Sequence, residues 1–111
     1  MKLSAKITTA SLVLFFGTAL GFAAPASENW ENLCTKCHGA DGKGQTKTGK
    51  KLKVNDYTDA AVQAKLKDDE LVKAITDGVT IDGKEKMKAF KDELSAPEIT
   101  ELVAYIRKFK A

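Results

Sequence analysis

Apolar residues recur at helical spacing near both ends of the chain. In the first such segment, positions i, i+3, i+4 and i+7 are occupied by Trp30, Leu33, Cys34 and Cys37. This spacing predicts a helix that Ser27 caps and Gly39 ends. In the last segment the apolar stripe comprises Ile99, Leu102, Val103, Ile106 and Phe109. The preceding Ser95-Ala96-Pro97-Glu98 is an S-x-x-E capping box, which predicts the start of a second helix.

The middle of the chain predicts shorter elements. The stretch from Gly39 to about Asn55 is rich in Gly and Lys, which predicts a loop. Thr58 or Asp59 is expected to start a short helix with Val62 and Leu66 on one side.

A further helix is expected from its cap at Asp68 to Gly78. Its inward-facing residues are predicted to be Leu71, Val72 and Ile75. Residues 79–94 predict an irregular segment with a turn at Asp82-Gly83. Because no segment convincingly predicts a strand, the predicted fold class is all-α, with three to four helices.

Residues 1–26 have the three parts of a secretory signal peptide. Lys2 and Lys6 are basic, an apolar run extends from Ile7 to Phe22, and Ala24-Pro25-Ala26 is an A-x-A cleavage site. The run is shorter than a comfortable bilayer span. We therefore predict cleavage and export to the periplasm or an equivalent compartment outside the cytoplasm. An uncleaved membrane anchor is the alternative, whereas a lipoprotein is excluded because no cysteine lies at the cleavage site.

Residues 27–111 then form a single domain of 85 residues, whose core is too small to provide much stability by itself. A large apolar cofactor at its centre would offset this deficit. Without the two lysines of the leader, the domain has 16 basic and 15 acidic residues. This nearly neutral balance gives no indication of nucleic-acid binding.

Both cysteines and the only histidine of the chain lie within five residues. The sequence Cys34-Thr35-Lys36-Cys37-His38 is the C-x-x-C-H motif to which c-type haem is attached. Two thiols on one helical turn can add to the two vinyl groups of a haem, and the adjacent imidazole can then reach the iron. We therefore predict one covalently bound haem c, held by Cys34 and Cys37 with His38 on the iron.

Three other kinds of site use the same residue types. A zinc site requires four N or S ligands, typically as two separated pairs, and this motif offers three. A thioredoxin-like dithiol requires a βαβ setting that the pattern does not predict, and a structural disulfide would leave the histidine incidental. Haem c is the favoured interpretation, and it agrees with export because bacteria attach c-type haem outside the cytoplasm.

Met87 is the candidate for the second axial ligand. It is the only methionine besides the initiator, and the motif already uses the histidine and both cysteines. It lies in a charged stretch, residues 84–90, with no helical stripe to join, so a haem face best explains a hydrophobic side chain there. A lone methionine can also fill a core, and a lysine can also ligate iron. The residues alone leave these alternatives open.

These features resemble class I cytochrome c, specifically its small single-haem bacterial and c6-like members, over essentially all of residues 27–111. The matching motifs are Cys34-Thr35-Lys36-Cys37-His38-Gly39, Thr48-Gly49-x-x-Leu52, Met87-x-Ala89-Phe90 and a last helix with Leu102, Tyr105 and Ile106. The resemblance implies a small cytochrome c fold wrapped around one haem, with His38 and Met87 as axial ligands. It also implies that the first and last helices cross, with Trp30 near Leu102 and Tyr105.

Two positions depart from the family pattern. Lys50 replaces the proline that usually follows Thr-Gly, in the region whose carbonyl accepts a hydrogen bond from the axial histidine. Lys88 replaces the proline that often follows the methionine. A backbone carbonyl is available whatever the side chain, so we expect the histidine hydrogen bond to survive. Both loops lose a fixed φ, so we expect them to be less rigid.

An iron with both axial positions filled cannot bind a substrate without losing a ligand, and a thioether raises its reduction potential relative to two imidazoles. We therefore predict a soluble, monomeric one-electron carrier and not an enzyme. Peroxidase chemistry would require a distal acid–base group, and the chain has no second histidine. The alternatives are a redox subunit of a larger respiratory or photosynthetic complex and a gas-binding haem sensor.

Lysines concentrate in two regions that we expect to border the haem. Between residues 36 and 53 there are six lysines against one acid, Asp41. Around Met87 there are four more, which are Lys84, Lys86, Lys88 and Lys91. If both regions border the haem edge, they form a positive face for redox partner proteins with an acidic docking face. Ordinary solvated loops would give the same pattern.

Overall fold

Helices form most of the regular secondary structure of the protein. The computed structural model describes residues 24–110. It begins with helix α1 (Ala26–Asn29), a π-helical turn (Trp30–Cys34) and helix α2 (Thr35–His38), which follow one another without a break. Single π-helical turns are often found at functional sites, and this one runs directly into the C-x-x-C-H motif.

The remaining elements are four helices and two strands. In chain order they are α3 (Lys47–Leu52), α4 (Ala60–Lys65), α5 (Asp68–Asp77), β1 (Val79–Ile81), β2 (Lys84–Met87) and α6 (Ala96–Arg107). The two strands pair antiparallel and form a hairpin. The described chain is therefore mostly helical, but it has more helices than the three to four predicted, and the expectation that it contains no strand is wrong.

Most of the predicted helix ends are confirmed. Gly39 ends α2 at φ 79° and Gly78 ends α5 at φ 76°, a conformation that glycine adopts readily. Ser95 and Glu98 form the predicted capping box, with Ser95 Oγ accepting from Glu98 N and Glu98 Oε1 accepting from Ser95 N. Ser27 does not cap α1, because the residue before the helix is Pro25.

Two elements lie in segments that we predicted to be irregular. Helix α3 lies inside the predicted loop from Gly39 to Asn55, where the Thr46 side chain caps it by accepting from Gly49 N. The hairpin lies inside residues 79–94, and the predicted Asp82-Gly83 turn joins its strands. Both turn residues have positive φ, 52° and 74°, as a tight two-residue hairpin turn requires.

The core lies between α5, α6 and the first helices. Its buried residues are Trp30, Tyr57, Leu71, Ile75, Phe90, Leu94, Ile99, Leu102, Val103 and Ile106. Most of the predicted stripes are thereby confirmed. Val72 is the exception, because 36% of its surface is exposed and it does not face the core.

The first and last helices pack against each other, as the family resemblance implied. The Asn29 side-chain amide donates to Glu98 Oε2 at 2.9 Å, linking α1 to the first turn of α6. The rings of Trp30 and Tyr105 lie 5.7 Å apart between their centroids. Trp30 and Leu102 are the two largest fully buried side chains, so the packing of the first helices against α6 forms the centre of the core.

Arg107 joins the last helix to the connection between α4 and α5. Its guanidinium donates to the backbone oxygens of Gln63 at 2.8 Å and Leu66 at 2.6 Å, and to Asp68 Oδ1 at 2.7 Å. These bonds satisfy carbonyls that the end of the short helix α4 leaves free. Arg107 therefore fixes the point at which the chain enters α5.

The predicted leader lies mostly outside the described residues, which begin at residue 24. Of its last three positions, Ala26 is the first residue of α1 and packs against the core. Within residues 24–110, no helix has the length and apolar character needed to cross a membrane.

Candidate functional site

A cavity of about 670 Å³ opens between α2, α5 and the hairpin. Cavities of this size are typical of sites for small molecules and cofactors. The four predicted site residues, Cys34, Cys37, His38 and Met87, all line it. Residues about 50 positions apart in the sequence therefore share one cavity, which the sequence alone could not establish.

The cavity wall is largely apolar, with charged groups among the residues that line it. Its aliphatic and aromatic residues include Leu33, Leu52, Val54, Leu66, Leu71 and Phe90. A smaller cavity of about 30 Å³ shares part of this wall and reaches the core at Leu102 and Ile106. The arrangement suits a large, mainly apolar group that would reach from the core toward the solvent.

Cys34 and Cys37 are both free and partly buried. Burial, together with the neighbouring Cys37, raises the pKa of the Cys34 thiol to about 11. Cys34 is therefore a neutral thiol at neutral pH. The pair is not joined in a disulfide, which leaves both sulfur atoms available for thioether bonds at the cavity wall.

Two aromatic rings hold the His38 imidazole. The Tyr57 ring stacks on it at 5.3 Å between centroids with 22° between the planes, and the Trp30 ring lies 5.6 Å away. Trp30 is itself fixed, because its indole N–H donates to the backbone oxygen of Gly39 at 3.0 Å. Burial lowers the pKa of His38, which favours the neutral imidazole that binds metals.

The expected hydrogen bond from His38 to the Lys50 region is not formed. Nδ1 of His38 is buried and has no hydrogen-bond partner among the described residues. The Lys50 carbonyl instead accepts from Lys53 N at 3.4 Å, where the chain leaves α3. Buried ring nitrogens normally have a hydrogen-bond partner. Because Nδ1 has none here, no hydrogen bond from this atom orients His38, and the contacts with the Trp30 and Tyr57 rings do so instead.

Thr46 connects the C-x-x-C-H motif to α3. Its hydroxyl donates to the Cys37 carbonyl at 2.7 Å and accepts from Gly49 N at 2.8 Å. A side chain at Gly49 would collide with the Cys37 and Gly44 carbonyls, so only glycine allows α3 to lie this close to the motif. This packing is the physical reason for a glycine at position 49 in this chain.

Met87 is the last residue of β2 and pairs with Val79 of β1. The pairing is interrupted next to it, since Thr80 pairs with Glu85 and Lys86 is left as an extra residue. Neighbouring residues of a regular strand point to opposite faces, yet Lys86 and Met87 both line the cavity. The bulge explains this, because an extra residue changes the direction of the side chains that follow.

Four lysines and one acid are found among the residues that line the cavity. The lysines, here called the rim lysines, are Lys36, Lys53, Lys86 and Lys88. The acid is Glu70 of α5. Only part of the predicted lysine set therefore borders the site, and the lysines of α3 (Lys47, Lys50 and Lys51) do not line it.

Two residues that position the site, Tyr57 and Thr46, were not predicted from the sequence. Tyr57 lies between polar residues with no periodic pattern around it, so nothing in the sequence indicated that it would be buried beside His38. Thr46 precedes a helix of only six residues, which is too short to produce a hydrophobic stripe. A threonine three residues before a glycine was the only signal, and it is a weak one.

The residues present fit a covalently attached haem. Two free thiols, a neutral imidazole and a thioether line one mainly apolar cavity, with cationic side chains also present. These are the ligand types that c-type haem uses. Cys34 and Cys37 would carry the thioether bonds, and His38 and Met87 would be the side chains available to the iron.

Comparisons with known proteins agree with this fit. A family model described as cytochrome c oxidase, cbb3-type, subunit III matches residues 22–106. Among solved structures, the c-type cytochrome KustC0563 is similar with a TM-score of 0.71 and 32% identity, covering 79% of this chain and 100% of that chain. A tyrosine-to-phenylalanine mutant of KustC0563 gives 0.68 and 32%, covering 78% and 100%. A comparison with curated protein sequences finds no match.

Proposed function

The chain belongs to the c-type cytochrome family described as cytochrome c oxidase, cbb3-type, subunit III, and from this premise we propose that it is a soluble one-electron carrier with His38 and Met87 as axial ligands. Members of such families bind haem c covalently and transfer electrons. Haem c, when bound, supplies one-electron exchange between ferric and ferrous iron. The observation that carries the proposal is that both thiols, the imidazole and the thioether line one cavity.

The side chains around the cavity have distinct roles in this function. His38 is kept neutral by burial, so its imidazole can offer a lone pair. Tyr57 and Trp30 restrict the imidazole between two rings. Leu71 and Phe90 are buried core residues that give the interior of the cavity an apolar lining, which would exclude water. Exclusion of water would limit the solvent reorganisation that accompanies one-electron exchange, which suits electron transfer.

The rim lysines support docking to an acidic partner. They contribute four positive charges against one negative charge among the residues that line the cavity. Lys88 is paired with Glu93, so among the described residues Lys36, Lys53 and Lys86 are the rim lysines without an ion pair. Such a field steers the approach of a negatively charged protein and orients it toward the cavity. We place the docking face at the rim lysines and not at the lysines of α3. Export of a monomer through the leader in residues 1–26 completes the proposal.

A second candidate function is that of a redox subunit in a larger complex. The observation that favours it is the description of the matching family, which names an oxidase subunit. Size-exclusion chromatography of the protein extracted from its native membranes and soluble fractions separates the two candidates. A carrier elutes at the mass of one domain, whereas a subunit elutes with the complex.

Replacement of Met87 tests the ligand assignment. The ferric parent protein should be low-spin with the weak far-red band of a sulfur-to-iron bond. Met87→Leu keeps a side chain of similar size but removes the sulfur, so it should lose this band, bind CO in the ferrous state and have a lower reduction potential. Met87→His should keep six ligands and also lower the potential.

Two results would contradict the assignment. If the ferrous parent protein bound CO readily at neutral pH, the open iron site would indicate a gas sensor. If Met87→Leu kept the parent spectrum and potential, a lysine near Met87 would become the preferred ligand.

A further inference from the structure

We propose that Gly78 is a positioning residue for Met87: because Gly78 has no side chain, the end of α5 packs directly on the backbone of residues 87–89 and fixes Met87 at the cavity. This inference rests on the proposed His38/Met87 ligation. It concerns how this chain holds the methionine in place, since the proline that often follows the methionine is replaced by Lys88.

The backbone at Gly78 leaves no room for a side chain. Its φ is 76° and its ψ is −177°, a combination essentially restricted to glycine. A Cβ atom at this position would lie 2.5 Å from the Met87 carbonyl oxygen and 2.8 Å from the Ala89 nitrogen. Both are backbone atoms, which cannot rotate away as a side chain can. Any other residue at position 78 must therefore displace the Met87 segment.

Hydrogen bonds hold the same segment against α5 from the other direction. Phe90 N donates to the Ile75 carbonyl at 2.9 Å, and Lys91 N donates to the Thr76 carbonyl at 3.3 Å. These carbonyls belong to the last turn of α5, where helical partners are absent. Steric contact at Gly78 prevents movement toward the helix, and the hydrogen bonds oppose movement away from it.

The side chain of Lys88 is a weaker support. It makes an ion pair with Glu93 at 2.7 Å and lies 5.0 Å from the centre of the Phe90 ring. The Lys88 and Glu93 side chains are 53% and 42% exposed, and exposed ion pairs contribute little to stability. The backbone contact at Gly78 is therefore the stronger constraint on where Met87 lies.

A matched pair of glycine variants of the haem-loaded protein tests the proposal. Gly78→Ala should lose most of the far-red band, lower the reduction potential and raise the apparent affinity of the ferrous protein for CO about tenfold, equivalent to about 1.4 kcal/mol of Met87 ligation. Gly83→Ala is the control, because Gly83 also has a positive φ, 74°, but has no atom within 4 Å of an added Cβ. It should keep the band and the CO affinity of the parent protein.

A second pair keeps the test decisive if Gly78→Ala does not accumulate. Lys91 lies at the second position of the turn that the Glu93 N to Phe90 O hydrogen bond closes, where proline is favoured. Lys91→Pro removes the N–H that donates to Thr76 and should weaken the band and increase CO binding. Lys91→Ala keeps this N–H and should behave like the parent protein.

The outcomes separate the two proposals. If the parent protein lacks the far-red band, the ligand assignment fails and the role of Gly78 fails with it. If the parent has the band but Gly78→Ala and Lys91→Pro both keep it, only the positioning role is refuted. Equal losses in Gly78→Ala and Gly83→Ala would also refute it, because they would reflect general damage to the hairpin.

Discussion

Replacing Thr46 by valine would remove the hydroxyl group that joins the C-x-x-C-H motif to α3. This hydroxyl makes two hydrogen bonds, to the Cys37 carbonyl at 2.7 Å and from Gly49 N at 2.8 Å. Valine is also branched at Cβ and nearly the same shape, so the change removes both bonds with little change in packing. The expected effect is lower stability of the motif's backbone, with the haem still covalently attached.

The magnitude follows from the two bonds. Loss of the acceptor removes the N-cap of α3, which typically costs about 1 kcal/mol. Loss of the donor leaves the Cys37 carbonyl without this partner, which costs about 1–3 kcal/mol where the group stays buried. Because both groups are only partly buried, we expect the free energy of unfolding to fall by about 2 kcal/mol. A domain of this size has on the order of 5–15 kcal/mol in total.

Unfolding of the haem-loaded protein in guanidinium chloride measures this change. Unfolding is detected by haem absorption and by the fluorescence of Trp30, the only tryptophan. Thr46→Ser is the matched control, because it keeps the hydroxyl and loses one methyl group, worth about 0.8 kcal/mol at most. Equal destabilisation by valine and serine, or a change of less than about 0.5 kcal/mol with valine, would show that the Thr46 hydroxyl does not stabilise the motif.

Two further predictions concern charge. Lys36→Glu with Lys53→Glu should slow oxidation by anionic ferricyanide about tenfold at low ionic strength and accelerate oxidation by a cationic cobalt(III) complex, and both effects should diminish at high ionic strength. The control pair is Lys65→Glu with Lys108→Glu, two lysines that do not line the cavity, and it should change neither rate as much. Equal effects of the two pairs would exclude a local docking field. Hydrogen bonds from Asn29 and Ser95 lower the pKa of Glu98, so its charged form stabilises the fold above the unfolded-state pKa, and this contribution is lost as the pH falls through the lower folded-state pKa. Glu98→Gln should make the loss of stability shallower in thermal unfolding as the pH falls below the unfolded-state pKa of this carboxyl, and an unchanged slope would contradict this.

Local patterns predicted those parts of the fold that depend on neighbouring residues. The capping box at Ser95, the glycine ends of α2 and α5, and the Asp82-Gly83 turn each depend on the backbone preferences of a few residues. The sequence therefore located them correctly. Helix α3 and the hairpin were missed because their few residues produce too weak a periodic signal, and because tertiary contacts stabilise them.

The candidate haem-binding residues were easier to identify from the sequence than the residues that position them. Cys34, Cys37 and His38 form a rare cluster, and Met87 is conspicuous because no other methionine follows the initiator. Tyr57 and Thr46 act through a ring stack and a backbone hydrogen bond, and residue types this common carry no such signal. The predicted bond from His38 to the Lys50 region was wrong for a related reason, since it assumed a loop where the chain forms α3.

The two lysines that replace prolines show why local rules give an incomplete account of this site. A proline fixes one dihedral angle of its own residue, and on that basis both loops were expected to be less rigid. At Lys50, however, the backbone N–H donates to the Thr46 carbonyl at 2.9 Å within α3, a bond that proline cannot make. The segment after Met87 is likewise joined to the end of α5 by the amides of residues 90 and 91.

Each of these regions has a glycine at a close backbone contact. A Cβ at Gly49 would collide with the Cys37 carbonyl, and one at Gly78 would collide with the Met87 carbonyl. Such a contact restricts the position of a whole segment relative to its neighbour, whereas a proline restricts only the direction of the chain. Tertiary contact can therefore fix the position of a residue such as Met87 without any proline in its own segment. For this reason, we expect changes at Gly78 to affect Met87 more than changes to the side chain of Lys88, its immediate neighbour in sequence.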